Sequence, residues 1–233
     1  MTGILAIETA TEACSVALWR DGNTEHRHEL AARQHNQRLF SMLRELLPDG
    51  VKDIDAIAYG SGPGSFTGLR IAASAVQGLA FSAGVPAVPV STLACQVQTA
   101  LREGLVEEGG YVLSCLDARI KEVYFALYRI EGDEVFEVQA AAGVKPEQMT
   151  IAELPAQMVA IGDGCAFVDQ FPESVQKVLT AVHAQVLPEA RDLIPAARRM
   201  LASGTSQKAA DVHPVYVRDE VNWKKIHEQG KPS

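Results

Sequence analysis

The sequence predicts an α/β fold made of two similar lobes, each of which begins with three antiparallel strands. The first observation is the order of strand-like and helix-like segments in the first part of the chain, β-β-β-α-β-α-β-α. The second is an internal repeat between residues 5–20, LAIETATEACSVALWR, and residues 114–129, SCLDARIKEVYFALYR. In both stretches an apolar strand ends in an acid, Glu8 or Asp117, and Ala-Leu-aromatic-Arg follows at the same distance. The matched spacing favours two copies of one fold over a chance likeness between two hairpins.

Local patterns define the elements of the first lobe. The turn at residues 20–23, Arg-Asp-Gly-Asn, joins two strands into a hairpin. Leucines at helical spacing indicate an amphipathic helix that ends at Pro48, and a second helix ends at Gly84. The predicted elements are strands at 3–8, 14–19 and 24–30, a helix at 34–47, a strand at 54–59, a helix at 66–83, a strand at 85–90 and a helix from Ser91 to about Arg102. This order is typical of a ribonuclease-H-like lobe.

The second lobe is predicted to be a reduced copy of the first, because its loops are longer and its helices fewer. After the hairpin, the predicted elements are strands near 134–140, at 158–161 and at 183–187, and a helix at 188–203 that begins with proline. The tail is predicted to form a strand at 214–218 and a charged end at 220–227. The chain is thus divided into a first lobe (1–103), a second lobe (104–213), and a C-terminal strand and tail (214–233) that packs back on the core.

Composition limits the classes of function. The chain has 233 residues, of which 47% are hydrophobic, so it can bury substantial cores. Its formal net charge of −8 argues against a protein that binds RNA without a partner. The four cysteines are widely spaced and form no C-x-x-C pair, which favours reduced core thiols and a cytoplasmic protein. No signal peptide or membrane span is predicted.

A glycine-rich loop, GSGPGSFTGLR at residues 60–70, leads into the second helix. Such loops bind phosphate in several folds, because backbone N–H groups converge at the helix N-terminus. This loop lacks the Lys-Ser/Thr of a P-loop. We therefore expect its glycines to set the angle and close packing of the helix, with Ser65 or Thr67 as the cap. A residual anion site at the helix start is the alternative.

The two acid-bearing hairpins resemble those of the actin-like ATPase superfamily, whose members bind nucleotide between two such lobes. The working hairpins need glycine so that the backbone approaches phosphate closely. Neither turn contains glycine, and the first acid is Glu rather than Asp. We therefore interpret Glu8, Thr9 and Asp117 as a vestigial nucleotide cleft.

No catalytic residue, metal site or cofactor is predicted. A ribonuclease-H-type nuclease needs a carboxylate at the end of the fourth strand, but that strand ends in Ala-Tyr-Gly-Ser at 58–61. His26, His28 and His35 do not have the spacing of a known metal motif, and neither Ser61 nor Ser65 lies in a G-x-S-x-G elbow.

The second helix is apolar on more than one side, with Arg70 as its single charged residue. Together with the preceding helix it predicts a partner interface, since exposed apolar surface marks contact sites. The alternative is that both helices lie deep in the core of the chain itself. The predicted interface residues are Leu39, Phe40, Leu43, Leu69, Ala72, Ala73, Val76, Gln77 and Ala80.

Five stretches together resemble the TsaB (YeaZ) family nearly end to end: ILAIETATEACSVAL, GSGPGSFTGLRIAASAVQGLA, LDARIKEVYFALY, IGDG and PVYVRDEVNWKK. The resemblance implies a role in forming threonylcarbamoyladenosine at position 37 of tRNAs that read ANN codons. It implies a heterodimer with the catalytic paralogue TsaD through the first-lobe helices, to which the ATPase TsaE binds. It also implies homodimers through the same helices when the chain is alone, and tRNA contact only through the complex.

The resemblance also bears on catalysis. TsaD carries two metal-binding histidines spaced H-x-x-x-H, and the aligned positions here are Thr92 and Gln96. Neither side chain replaces an imidazole ligand, so the resemblance implies a non-catalytic subunit. The alternative, which rests on Glu8, Asp117 and the implied cleft, is an independent actin-like kinase or ATPase, or a metalloprotease.

Overall fold

The computed structural model describes residues 3–31, 34–48 and 50–217, and within these residues the strands form two five-stranded sheets. The elements of the first part of the chain are β1 (Gly3–Glu8), β2 (Ala13–Arg20), β3 (Asn23–Leu30), α1 (His35–Leu46), β4 (Ala56–Gly62), α2 (Phe66–Ala83), β5 (Ala87–Ser91) and α3 (Thr92–Arg102). The later elements are β6 (Tyr111–Arg119), β7 (Glu122–Glu131), β8 (Glu134–Val144), β9 (Met158–Ile161), α4 (Glu173–Lys177), β10 (Leu179–His183) and α5 (Ile194–Ala202). Short 3-10 helices lie at Pro146–Gln148, Asp163–Gln170, Ala190–Leu193 and Ala209–Asp211.

The two sheets have the same strand order, which is β3-β2-β1-β4-β5 in one and β8-β7-β6-β9-β10 in the other. In each sheet the first three strands are antiparallel, and the remaining strands run parallel to the central one. The predicted α/β fold of two lobes with a three-strand antiparallel start is therefore confirmed. The internal repeat in the sequence corresponds to β1–β2 and β6–β7.

Local signals determine several elements. Helix α2 begins where the Ser65 hydroxyl accepts a hydrogen bond from the Gly68 N–H at 3.4 Å, and it ends at Gly84, whose φ of 69° is left-handed. The predicted bounds of this helix are confirmed, as is the Ser65 cap. Ser91 caps α3 in the same way, by accepting from the Ala94 N–H.

Two helices pack on a sheet that is not the one nearest to them in the sequence: α3 on the second sheet and α5 on the first. Helices α1 and α2 cover one face of the first sheet, and the other face is covered by α5 and the 3-10 helix before it. Helix α3 places Leu93, Val97 and Ala100 in a core with the second sheet. Helix α5 packs on the first sheet, although it follows the second sheet in the chain. The division into residues 1–103, 104–213 and 214–233 stays a prediction.

Three predicted elements of the second half differ from the structure. The strand expected at 183–187 is wrong, because the strand is Leu179–His183 and pairs with β9. Helix α5 begins later than residue 188, because the proline in its first turn is Pro195 and a 3-10 turn precedes it. Residues 214–217 form no strand, although the Val215 N–H donates to the Ser61 carbonyl at 2.7 Å. Residue 218 and the charged end at 220–227 lie outside the described residues.

Two further properties concern the whole described chain. None of its helices there combines the length and apolar composition needed to cross a lipid bilayer. The four cysteines all lie within the described residues, where each is buried and none forms a disulfide.

Candidate functional site

The glycine-rich loop packs against the β1–β2 turn of the same chain. The Ser65 N–H donates to the Ala10 carbonyl at 2.7 Å, and the Thr9 hydroxyl donates to the Gly68 carbonyl at 2.8 Å. A Cβ atom at Gly64 would lie 2.6 Å from the Ala10 carbonyl oxygen, and one at Gly68 would overlap the Thr9 carbonyl oxygen. These glycines therefore allow two backbone segments to touch. We call the contact between residues 8–10 and 60–68 the glycine joint.

The other side of the loop is covered by the segment before the C-terminus. Gly62 has a left-handed φ of 123°, and a Cβ there would lie 2.6 Å from the Val215 carbonyl oxygen. The Tyr59 hydroxyl donates to the His213 carbonyl at 3.2 Å. Residues 214–217 lie along the glycine-rich loop, and the predicted packing of the C-terminal strand and tail, 214–233, on the core stays a prediction.

Glu8 is enclosed within the glycine joint, with 1% of its surface exposed. Its Oε1 accepts from the Ala10 N–H at 2.7 Å, and its Oε2 accepts from the Thr92 hydroxyl at 3.3 Å. A side chain at Gly60 would overlap this carboxyl group. Burial raises the pKa of Glu8 from 4.5 to about 7, although the hydrogen bonds from Ala10 and Thr92 oppose the shift. The carboxyl oxygens are thus occupied by partners from the chain itself.

The β6–β7 turn of the second lobe is built differently. The Asp117 N–H donates to Asp163 Oδ1 at 2.8 Å, and Asp117 Oδ1 accepts from the Arg119 N–H at 2.8 Å. Residues 119–121, Arg-Ile-Lys, have φ values of 63°, 55° and 58°, a left-handed conformation that is unfavourable for residues with a Cβ. Ile120 is 81% exposed. The structure therefore places Asp117 in an open, strained turn rather than in an enclosed joint.

Asp163 is an acid that the site prediction missed. It lies directly after β9, and burial raises its pKa, while the hydrogen bond from the Asp117 N–H opposes the shift. The negative charges of Asp117 and Glu12 also raise the pKa of Asp163, and the positive charge of Arg119 lowers it. The signal in the sequence was the Gly-Asp-Gly at 162–164, which follows an apolar strand.

Thr92 and Gln96 are fully buried and link the lobes. The Thr92 hydroxyl donates to Glu8, as described. The Gln96 amide donates to the Val186 carbonyl at 2.9 Å and accepts from the Ser114 hydroxyl at 2.6 Å. Among the described residues, no three or more His, Cys, Asp and Glu side chains come together in a way that could hold a metal ion.

Most residues of the predicted partner interface form the inward faces of α1 and α2 and pack within the chain. The interface itself stays a prediction. The buried members are Leu39, Leu43, Leu69, Ala72, Ala73, Val76 and Ala80. Only Phe40 and Gln77 of the predicted set are exposed. The sequence was misleading because both faces of α2 are poor in charge, and the sheet alone decides which face is inward.

A different set of residues forms the exposed surface of α2. These residues recur every three to four positions along the helix, and this period was the signal that the prediction missed. We call them the α2 outer face: Phe66, Arg70, Ser74, Gln77, Gly78 and Phe81. Phe81 is 82% exposed and Phe66 56%, while Phe40 on α1 is 55% exposed. Exposed aromatic side chains are typical of protein–protein contact sites.

Known proteins resemble this chain both in sequence and in structure. Residues 27–225 match the family model described as TsaD, tRNA N6-adenosine threonylcarbamoyltransferase. The Escherichia coli K12 protein named tRNA threonylcarbamoyladenosine biosynthesis protein TsaB is 40% identical, over 96% of this chain and 97% of its own. The Haemophilus influenzae protein of the same name is 36% identical, over 96% of each chain. The solved structure titled YeaZ from Pseudomonas aeruginosa is 38% identical, with a TM-score of 0.85, and covers 93% of this chain and 100% of its own. With matches along nearly its whole length, the chain belongs to the TsaB (YeaZ) family.

Proposed function

We propose that this chain is a non-catalytic subunit for the formation of threonylcarbamoyladenosine at position 37 of tRNAs that read ANN codons. In this role it binds and activates TsaD, the catalytic relative. The observation that carries the proposal is the alignment of almost the whole chain with two relatives named tRNA threonylcarbamoyladenosine biosynthesis protein TsaB. The match to the TsaD family model supports a common origin of the two subunits.

The residues at two key positions support the non-catalytic role. Thr92 and Gln96 take the positions that align with the metal-binding histidines of TsaD. Both side chains are buried, and both are engaged in hydrogen bonds that hold α3 between the lobes. In this chain, Thr92 and Gln96 stabilise the contact between the lobes.

We place the TsaD contact on the α2 outer face together with Phe40. This surface combines three exposed phenylalanines with a single charged residue, Arg70, and the small residues Ser74 and Gly78 permit close approach of another helix. The ATPase TsaE joins the pair after it forms, and a second copy of the chain takes the same surface when TsaD is absent. Because the net charge is −8, tRNA is held by the complex rather than by this chain alone.

We further propose that the nucleotide cleft at Glu8, Thr9 and Asp117 is vestigial. The Glu8 carboxyl and the Thr9 hydroxyl are already hydrogen-bonded within the glycine joint. Titration calorimetry of the isolated chain with ATP and magnesium is expected to give no measurable heat of binding. Tight binding would favour an independent kinase or ATPase.

The experiment that tests the TsaD contact uses a matched pair of variants. Phe81→Asp changes the outer face, and Ile120→Asp changes an equally exposed apolar residue on the second lobe. Both variants are expected to keep the circular dichroism spectrum of the parent chain. Phe81→Asp is expected to lose co-elution with TsaD and the stimulation of threonylcarbamoyl transfer to tRNA, whereas Ile120→Asp keeps both.

Two results would contradict the proposal. Unchanged association of the Phe81→Asp chain would move the contact elsewhere. Equal transfer activity of TsaD with and without the chain would contradict the subunit role itself. Val76→Arg is expected to unfold the chain rather than to weaken association selectively, because Val76 is fully buried and its replacement buries an unpaired charge.

A further inference from the structure

We propose that Arg70 is the residue by which the α2 outer face distinguishes between its two partners. Its guanidinium receives one carboxylate group from a helix of TsaD, and a second copy of this chain does not supply that group from the same helices. This role of Arg70 depends on the proposed contact between the α2 outer face and TsaD. It adds to that contact the chemistry that favours the heterodimer over the homodimer.

Arg70 is the single charged residue of α2, and it lies on the exposed side of the helix. It follows Phe66 by one helical turn, and its guanidinium lies 3.9 Å from the centroid of the Phe66 ring. Its Nε donates a hydrogen bond to the Tyr216 hydroxyl at 3.1 Å. The Tyr216 ring lies in turn against the Phe66 ring, with 5.8 Å between the ring centroids. An aromatic ring and a hydroxyl group thus orient the guanidinium before any partner binds.

The hydroxyl that orients Arg70 belongs to a segment that is itself held in place. The Val215 N–H donates to the Ser61 carbonyl at 2.7 Å, and a Cβ at Gly62 would lie 2.6 Å from the Val215 carbonyl oxygen. The end of β4 therefore fixes the backbone next to Tyr216. We assign Tyr216 as a positioning residue for the guanidinium.

The unused donors of Arg70 determine the chemistry of its ligand. A guanidinium has five N–H donors, and the one on Nε is used by Tyr216. The four donors on the two Nη atoms make no hydrogen bond or ion pair with the described residues. Their planar arrangement matches the two oxygens of a carboxylate. The neighbours of Arg70 on this face, Phe66, Ser74 and Gln77, carry no charge, so a partner that covers Arg70 has to supply the negative charge itself.

A second copy of the chain lacks a free carboxylate on these helices. A two-fold symmetric homodimer places the same surface on both sides of the contact. Helix α2 contains no Asp or Glu, and the single acid of α1, Glu45, already pairs with Arg27 at 3.0 Å. Arg70 therefore receives no unpaired carboxylate from α1 or α2 of a second copy. A partner that has one acid at this point gains a charge-assisted hydrogen bond, which favours the heterodimer.

The test measures association of the full chain with TsaD by titration calorimetry, and association with itself by sedimentation. Arg70→Gln should raise the Kd for TsaD by at least about tenfold and reduce its dependence on salt concentration, because a charge pair within the contact is lost. The Kd of the homodimer should stay within about twofold. Arg119→Gln is the matched control, since Arg119 is an exposed arginine of the second lobe, and it should change neither Kd.

Tyr216→Phe tests the orientation of the guanidinium. This variant keeps the ring that packs on Phe66 and removes the hydroxyl that accepts from Arg70. It should raise the Kd for TsaD by about threefold. The effect should disappear in a chain that also carries Arg70→Gln, because the hydroxyl acts only through the guanidinium. An equal effect of Tyr216→Phe in both chains would contradict the positioning role.

Three results would overturn the role of Arg70. The first is an unchanged Kd of the Arg70→Gln chain for TsaD while Phe81→Asp still abolishes association, since the contact is then correct and its carboxylate is not. The second is an equal loss of the homodimer and the heterodimer in Arg70→Gln, because Arg70 then makes no distinction between partners. The third is unchanged association of both Arg70→Gln and Phe81→Asp, which rejects the proposed contact site itself. Circular dichroism checks that each variant is folded.

Discussion

The two hairpin turns that follow β1 and β6 occupy the same place in two sheets of identical strand order, and yet they are built in opposite ways. Thr9 and Ala10 of the first turn are buried, and the acid before them, Glu8, is enclosed by backbone and by Thr92. The second turn is open, and Arg119 and Ile120 extend into water in a left-handed conformation. A duplicated topology therefore does not preserve the environment of the residues at its equivalent positions.

The segments that follow the fourth strand of each lobe explain the difference. After β4, Gly64 and Gly68 approach the first turn itself and enclose it. After β9, Gly164 instead approaches β6, where a Cβ would lie 2.8 Å from the Leu116 nitrogen, and Asp163 accepts the Asp117 N–H. No described residue encloses the second turn in this way, and its side chains Arg119 and Ile120 are exposed.

The largest expected effect comes from opening the glycine joint. Gly68→Ala should lower the free energy of unfolding by about 4 kcal/mol, because the new Cβ overlaps the Thr9 carbonyl and two backbone segments must separate. Gly78→Ala, in the same helix, is the control, since a Cβ there meets nothing within 4 Å and should stabilise the chain by about 0.5–1 kcal/mol. Urea unfolding followed by circular dichroism measures both. Equal stabilities of the two variants would contradict the joint.

The second effect is the dependence of stability on pH. Native Glu8 keeps its proton up to about pH 7, whereas in the unfolded chain it loses the proton near 4.5. The native state therefore binds more protons in this window, and Glu8 lowers the free energy of unfolding as pH rises from about 4.5 to about 7. The total cost is about 3 kcal/mol. Glu8→Gln removes this titrating group. Relative to the parent chain, the free energy of unfolding of the variant should therefore rise by this amount between about pH 4.5 and pH 7.

Urea unfolding of both chains at several pH values between 4 and 8 tests this expectation. A constant difference between the two chains would show that Glu8 does not titrate in this window. Thr92→Val gives an independent readout, because it removes a hydrogen bond that lowers the pKa of Glu8 and should move the window to higher pH.

A third effect sharpens the contrast from the side of the second turn. Ile120→Gly should raise the free energy of unfolding by about 1 kcal/mol, because a β-branched residue with a left-handed φ is strained and glycine is not. Leu30→Gly, at an exposed position of the edge strand β3, should lower it by about 1 kcal/mol. Thermal unfolding distinguishes the two signs, and destabilisation by Ile120→Gly would show that the turn carries no strain.

The smallest effects compare single polar contacts of the two turns. Thr9→Val removes the hydrogen bond to the buried Gly68 carbonyl and should cost about 1 kcal/mol. Arg119→Ala removes an ion pair with Asp117 whose arginine is 80% exposed, and should change stability by less than about 0.5 kcal/mol. Urea unfolding of both variants measures the two changes in the free energy of unfolding. A larger decrease for Arg119→Ala than for Thr9→Val would contradict the expected difference between the two turns.

Sequence patterns predicted the regular elements where local signals are strong. Helix α2 was predicted with its bounds and its cap, because a serine precedes it and a glycine follows it. Strands β1 and β9 were predicted with their bounds, since each is a short apolar run. Strand β10 was missed, because its residues alternate only weakly and its pairing with β9 places it. Of the candidate site, Glu8 and Asp117 were found as acids at strand ends, but their different surroundings were not.

The sequence by itself determined the duplicated order of strands, the two acids at the ends of β1 and β6, and the role of the glycine-rich loop as a point of close approach. Only the tertiary structure decided which turn that loop covers and which face of α2 points outward. It also decided that α3 packs on the second sheet and α5 on the first. The physical reason is that periodicity and caps are encoded by neighbours in the chain. Burial is decided by residues far away in it, and for α2, apolar on both sides, only the position of the first sheet distinguishes core from surface.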